Sequence, residues 1–168
     1  MKFHTWKLGS INMQTCSDDQ KVHLALLECK RANLDVVCFQ EVRLLESGGI
    51  IHEGYEFHWK GLQKLKRYGV AIAIRKNKCI TVNNIILSSA RLIAADISVK
   101  GCQIRVISCH APTQDSPLST KHQFYRDLTK LSKVQKHRKV LINGDFNAEP
   151  SFCREFSRFD GITTFFKD

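Results

Sequence analysis

The chain has 168 residues, 43% hydrophobic and 25% charged, a balance that excludes a disordered chain and suits one domain rather than two. Lysine and arginine number 26 against 16 aspartates and glutamates, and the formal net charge of +10 favours polyanionic partners, nucleic acid above all. No segment approaches the roughly 20 apolar residues of a membrane span, and MKFHTWKLGS lacks an apolar signal core, so the expectation is an intracellular protein, nuclear or cytoplasmic, with no membrane partner.

In chain order, residues 8–12 form a first short run ending on the amide of Asn12. Residues 16–33 carry the clearest helical pattern. Ser17 with Gln20 makes a capping-box pair, and Asp18 and Asp19 load the first turn with negative charge. Val22, Ala25, Leu26 and Cys29 then fall on one stripe. Residues 34–39 are a continuous apolar run, as expected of a strand covered on both faces. Residues 70–74 and 79–87 read as two strands around the basic turn Arg75-Lys76-Asn77-Lys78. Residues 92–99 and 103–109 flank Lys100-Gly101 as a hairpin. A second helix is expected from Ser116-Pro117, with serine as cap and proline at the first helical position. Residues 140–143 are another buried-type strand. Strands with one early and one late helix predict a layered α/β domain.

The seven cysteines are irregularly spaced and odd in number, with no C-x-x-C pair, which argues against a disulfide framework and a zinc site. They read as packing residues. His4, His23, His52, His58 and His122 lack ligand-like spacing and read as structural or surface residues.

Three strand ends carry the chemistry. One stops at Asn12, one at Gln40-Glu41, and one at Gly144-Asp145-Phe146-Asn147. A carboxylate at the lip of a buried strand is held stiffly yet reaches solvent and ligand. Glu41 and Asp145 suit a hard cation such as magnesium, which takes oxygen ligands and retains water or phosphate oxygens. Asn12 and Asn147 can orient a phosphate or an attacking water without adding negative charge.

Asn12, Gln40-Glu41, Ala111-Pro112-Thr113 and Gly144-Asp145-Phe146-Asn147, in this order, resemble the endonuclease/exonuclease/phosphatase superfamily. The phrasing of Asp35 to Arg43, Tyr68 to Ile72 and Ile142 to Pro150 is similar to the apurinic-like endonuclease domains of non-long-terminal-repeat retrotransposons. The resemblance implies a DNase I-like α/β fold, a two-sheet sandwich flanked by helices. It implies metal-dependent hydrolysis of DNA phosphodiesters, with Mg2+ as cofactor and Mn2+ as the other candidate. Glu41 would bind the metal and Asn12 would help set metal and phosphate geometry. Asp145 would orient or deprotonate water, and Asn147 would hold the phosphate.

Two departures qualify the match. His110 stands where the family usually has tyrosine; it can donate to phosphate, and unlike the phenol it can titrate near neutrality. No Ser-Asp-His motif follows Asn147, so residues 1–168 are expected to form one domain incomplete at its C-terminus, its last strands missing and apolar surface uncovered. A phosphoesterase acting on inositol phosphates or lipids, and a non-catalytic remnant that at most binds nucleic acid, are the alternatives. Among the basic stretches, Lys60, Lys64, Lys66 and Arg67, interleaved with Trp59 and Tyr68, are the candidates for DNA backbone contacts, set against a plain solvated loop. No obligate protein partner is expected.

Overall fold

The computed structural model describes residues 6–14 and 19–148. The elements run β1 (Leu8–Asn12), α1 (Asp19–Arg31), β2 (Val36–Gln40), β3 (Ser47–His52), β4 (Tyr55–Lys60), β5 (Val70–Arg75), β6 (Ile80–Ser89), β7 (Leu92–Val99), β8 (Cys102–His110), α2 (Leu118–Ser132) and β9 (Lys139–Asp145). They form two sheets, one ordered β1-β2-β5-β4-β3 and the other β6-β7-β8-β9.

The side-chain alternation of β2 explains the layers. Val36 and Cys38 face one way, packing with Ile72 of β5 against Ile93, Ala95 and Val106 of the second sheet. Val37 and Phe39 face the other way, against Val22, Leu26 and Cys29 of α1. Both faces of β2 are therefore covered, as its unbroken apolar run requires. On the far side, Phe124, Leu128 and Leu131 of α2 cover Leu92, Ala94 and Ile107 of the second sheet. The order is helix, sheet, sheet, helix, the sandwich that the sequence predicts.

Each sheet contains one parallel pair joined through its outer helix. β1 pairs with β2 across α1, and β8 pairs with β9 across α2. The other strand pairs are antiparallel. The registers place Asn12 beside Gln40 in one sheet and His110 beside Asp145 in the other. The carboxyl ends of the two crossover units thus meet at one rim.

The structure corrects several local readings. The two strands expected around the basic turn are present, but they do not pair: β5 and β6 lie in different sheets, and the turn between them carries the chain across the sandwich. Asn77 shapes that turn, its Oδ1 accepting from the Cys79 and Ile80 amides. The second helix starts one residue later than expected, with Pro117 rather than Ser116 at the cap and no side-chain cap hydrogen bond. β3 and β4 are additional strands, so Trp59 and Lys60 belong to β4 rather than to a loop. β1 is only partly covered. The Ser17 cap and the expected uncovered terminus lie outside the described residues. Cys29, Cys38 and Cys109 are buried and free, as packing cysteines should be, and burial pushes the Cys38 thiol up to about 12; Cys79 is half-buried and Cys102 exposed, so the packing reading does not extend to Cys102. No helix among the described residues is long and apolar enough to cross a membrane.

Candidate active site

The rim gathers the polar strand ends from both sheets. Asn12 Nδ2 donates to Glu41 Oε1 at 3.1 Å and to Asp145 Oδ2 at 3.2 Å. One amide nitrogen therefore serves two carboxylates from opposite sheets. The oxygen of Asn12 is engaged elsewhere, accepting from the Gln14 amide at 3.0 Å. In this arrangement the Asn12 amide nitrogen positions both carboxylates, while its oxygen keeps a second lone pair beside them.

Glu41 sits one residue past β2 with φ of +53°, a left-handed conformation that turns its side chain back over the strand end. Arg43 Nη2 donates to its other oxygen at 2.8 Å. Burial alone would raise the Glu41 carboxyl; hydrogen bonds from Arg43 and Asn12, with the charges of His110 and Arg43, overcome this and hold it below the usual carboxylate range. Glu41 is therefore ionised at neutral pH.

The loop after β9 is built around Asp145. Its Oδ1 accepts the Asn147 amide at 2.9 Å, an Asx turn, and its carbonyl accepts the Ala111 amide at 2.8 Å. Asn147 takes φ of +46° and anchors its side chain on the Ala111 carbonyl at 2.7 Å. Gly144 is needed just before: at φ of +149°, an added Cβ would meet the Cys109 carbonyl oxygen of β8 at 2.0 Å.

His110 is buried at the end of β8. Burial and the charge of Arg91 hold it below the usual imidazole range, against the pull of Asp145 and Glu41. The titration near neutrality that the sequence allows is therefore moved down. Its Nδ1 is buried and has no hydrogen-bond partner. Arg91 Nη1 donates to the His110 and Ala111 carbonyls, and its guanidinium stacks 4.0 Å over Tyr68, whose ring lies 6.1 Å from that of His110.

Among the described residues, Glu41, His110 and Asp145 form one of two groups whose ligand atoms lie within 4.8 Å of one another. Two carboxylates drawn to a single amide, with an imidazole nitrogen of His110 within 4.8 Å, fit a divalent cation that accepts oxygen ligands. Beneath the rim, buried Gln40 spans the sandwich: its Oε1 accepts from Ser10 Oγ at 3.1 Å, and its Nε2 donates to Ser108 Oγ at 3.3 Å. This polar bridge fixes the separation of the two sheets at the site.

The basic stretch divides. Lys60 ends β4, while Lys64, Lys66 and Arg67 are exposed between β4 and β5, with Arg67 packed 5.1 Å over Tyr68. The Tyr68 carbonyl accepts the Arg43 amide at 2.8 Å, which fastens this loop to the rim. Arg43, Tyr68 and Arg91 were not singled out as site residues from sequence. Arg43 stands in the Gln40-Glu41 motif and was legible there; Arg91 reaches the rim from a turn that carries no motif.

The profile of the Endonuclease/Exonuclease/phosphatase family matches residues 5–159. Craniofacial development protein 2 of Bos taurus is 27% identical over 146 residues, covering 86% of this chain and 24% of that protein. The chain thus spans about a quarter of the length of the curated relatives it matches. Among solved structures, the endonuclease domain of TRAS1, a telomere-specific non-LTR retrotransposon, superposes with a TM-score of 0.63 at 15% identity, over 88% of this chain and 61% of that one. An AP endonuclease from Archaeoglobus fulgidus gives 0.57 at 22% identity, over 87% and 60%. Those likenesses establish a shared fold.

Proposed function

The chain belongs to the Endonuclease/Exonuclease/phosphatase family, and on that footing we propose that it hydrolyses phosphodiester bonds in DNA with a divalent cation held at Glu41. The observation that carries the reading is the Asn12 amide shared by Glu41 and Asp145. It joins a metal-binding carboxylate from one sheet to a water-activating carboxylate from the other.

Magnesium or manganese, held by Glu41 beside Asp145, would screen the charge that builds on the phosphate. This chain's own residues do the rest. Asp145, its Oδ2 held by Asn12 and its Oδ1 by the Asn147 amide, orients the attacking water and accepts its proton. His110 donates a neutral N–H to a phosphate oxygen, in place of the phenol expected from the family resemblance. Asn147 holds the phosphate from the opposite side, its rotamer locked by Ala111. Fixed donors of this kind act where charge develops and need little reorganisation.

DNA is favoured over a small phosphate ester because Lys64, Lys66 and Arg67 are exposed together in the loop before Tyr68, a cluster of cations suited to a polyanionic backbone. The retrotransposon-type reading rests on the wording of residues 35–43 and 142–150. Two structural neighbours are endonucleases by name, the TRAS1 domain and the AP endonuclease from Archaeoglobus fulgidus. The test is nicking of supercoiled plasmid by the purified chain. Open circles should form with magnesium and not with chelator; cleavage of soluble inositol phosphates without plasmid nicking would move the substrate.

A further inference from the structure

At the end of the first sheet away from that rim, a second set of ligand atoms converges. His23 lies on α1, and His52 and Glu53 lie on the β3–β4 hairpin. His23 Nδ1 is 2.8 Å from His52 Nε2 and 3.5 Å from Glu53 Oε1. Among the described residues this is the other group whose ligand atoms all fall within 4.8 Å. The histidines are 29 residues apart, so spacing along the chain conceals the pair, and an argument from cysteine motifs does not reach it.

Both halves are seated in one core cluster, which holds α1 against the hairpin. α1 is seated by Val22 and Leu26, on either side of His23 in sequence. The hairpin closes through Glu53 and Gly54 at φ of +49° and +81°, the tight two-residue turn that suits twisted strands. Its first pair is His52 with Tyr55, and Tyr55 is fully buried with its hydroxyl on the Leu34 carbonyl at 2.6 Å. Lys30 Nζ lies 3.3 Å from Glu53 Oε2, which engages one carboxylate oxygen and leaves Oε1 toward the histidines.

We propose that His23, His52 and Glu53 bind a divalent transition-metal ion of the zinc class, clipping α1 to the edge hairpin. Two imidazoles and a carboxylate are a recognised zinc donor set, and the fourth position is left to water. The side chain of His23 is 41% exposed and that of Glu53 22%, so the ion has a route in and the water has room. Nitrogen ligands favour zinc over magnesium, so this site and the rim differ in ion class.

Zinc alone is the probe. Equilibrium dialysis of the full chain should show a zinc equivalent that disappears in His23→Ala/His52→Ala and persists in Glu41→Ala/Asp145→Ala. Cobalt at the same site should give a visible absorption band lost with the same pair. Equal zinc stoichiometry in the chain and in His23→Ala/His52→Ala, with native far-ultraviolet circular dichroism, would overturn the proposal. A readout without substitution guards against a misfolded variant. Zinc should shift the ring signals of His23 and His52 in the unaltered chain, reversibly with chelator; shifts confined to His110 would also overturn it.

Discussion

Asn12 and Asp145, 133 residues apart and in different sheets, share a hydrogen bond of 3.2 Å from Nδ2 to Oδ2. The same nitrogen reaches Glu41, so the relative position of the two carboxylates depends on a side chain attached to neither strand that carries them. Asn12→Ala should therefore uncouple activity from stability. Asn12 is exposed, so unfolding free energy should fall by less than about 1.5 kcal/mol. Plasmid nicking should fall roughly 10²–10³-fold, the size of a lost positioning donor. A rate within threefold of the unaltered chain would show that the carboxylates hold their places unaided.

Gly144 is a structural requirement of the site. Gly144→Ala forces a Cβ to within 2.0 Å of the Cys109 carbonyl at a backbone angle that suits glycine. Overpacking and backbone strain each cost about 1–3 kcal/mol. The urea midpoint should drop with little change in slope.

Away from the site, buried Asp96 organises a partly buried ion cluster. Its carboxylate accepts from Arg105 Nε at 2.7 Å and Nη2 at 2.8 Å, and from Arg138 Nη1 at 2.6 Å. Burial works to raise the Asp96 carboxyl, but the two guanidiniums prevail and hold it below the usual range. A carboxyl depressed in the folded state contributes stability above its unfolded value, near 3.8. That contribution is lost as pH falls through the folded value. Asp96→Ala should cost about 1–3 kcal/mol at pH 7, because it leaves two partly buried guanidiniums without their carboxylate. Titrations of unfolding free energy from pH 6 to pH 2 should then show a shallower acid slope in Asp96→Asn than in the unaltered chain.

The basic loop should act on affinity alone. Replacing Lys64, Lys66 and Arg67 together by alanine should leave stability nearly unchanged, since all three are exposed. Binding to duplex DNA should weaken, and the slope of log affinity against log salt should flatten by up to about 2.7. An unchanged slope would place the DNA elsewhere.

What could be read from sequence follows from where burial is complete. Val36 to Phe39 is covered on both faces, so its apolar run announced a strand and its polar end announced the site. Leu92 to Val99 was legible for the same reason. β3 was not: an edge strand of Ser-Gly-Gly-Ile-Ile-His, mostly exposed, has no face that burial constrains. β4 did carry a signal, since Tyr55, Phe57 and Trp59 alternate, but its cationic end drew the reading toward a loop. The site carboxylates and amides stood in motifs. The Arg91–Tyr68 stack and the Gln40–Ser108 bridge come from tertiary contacts that no local spacing encodes.

The most direct test of the central claim is magnesium-dependent nicking of supercoiled plasmid by the chain beside Asp145→Ala, with matched circular dichroism. The account predicts nicking by the unaltered chain and a loss of about 10²–10⁴-fold in the variant, as expected for a removed general base. Equal nicking by both proteins, or nicking that survives chelator, would contradict it.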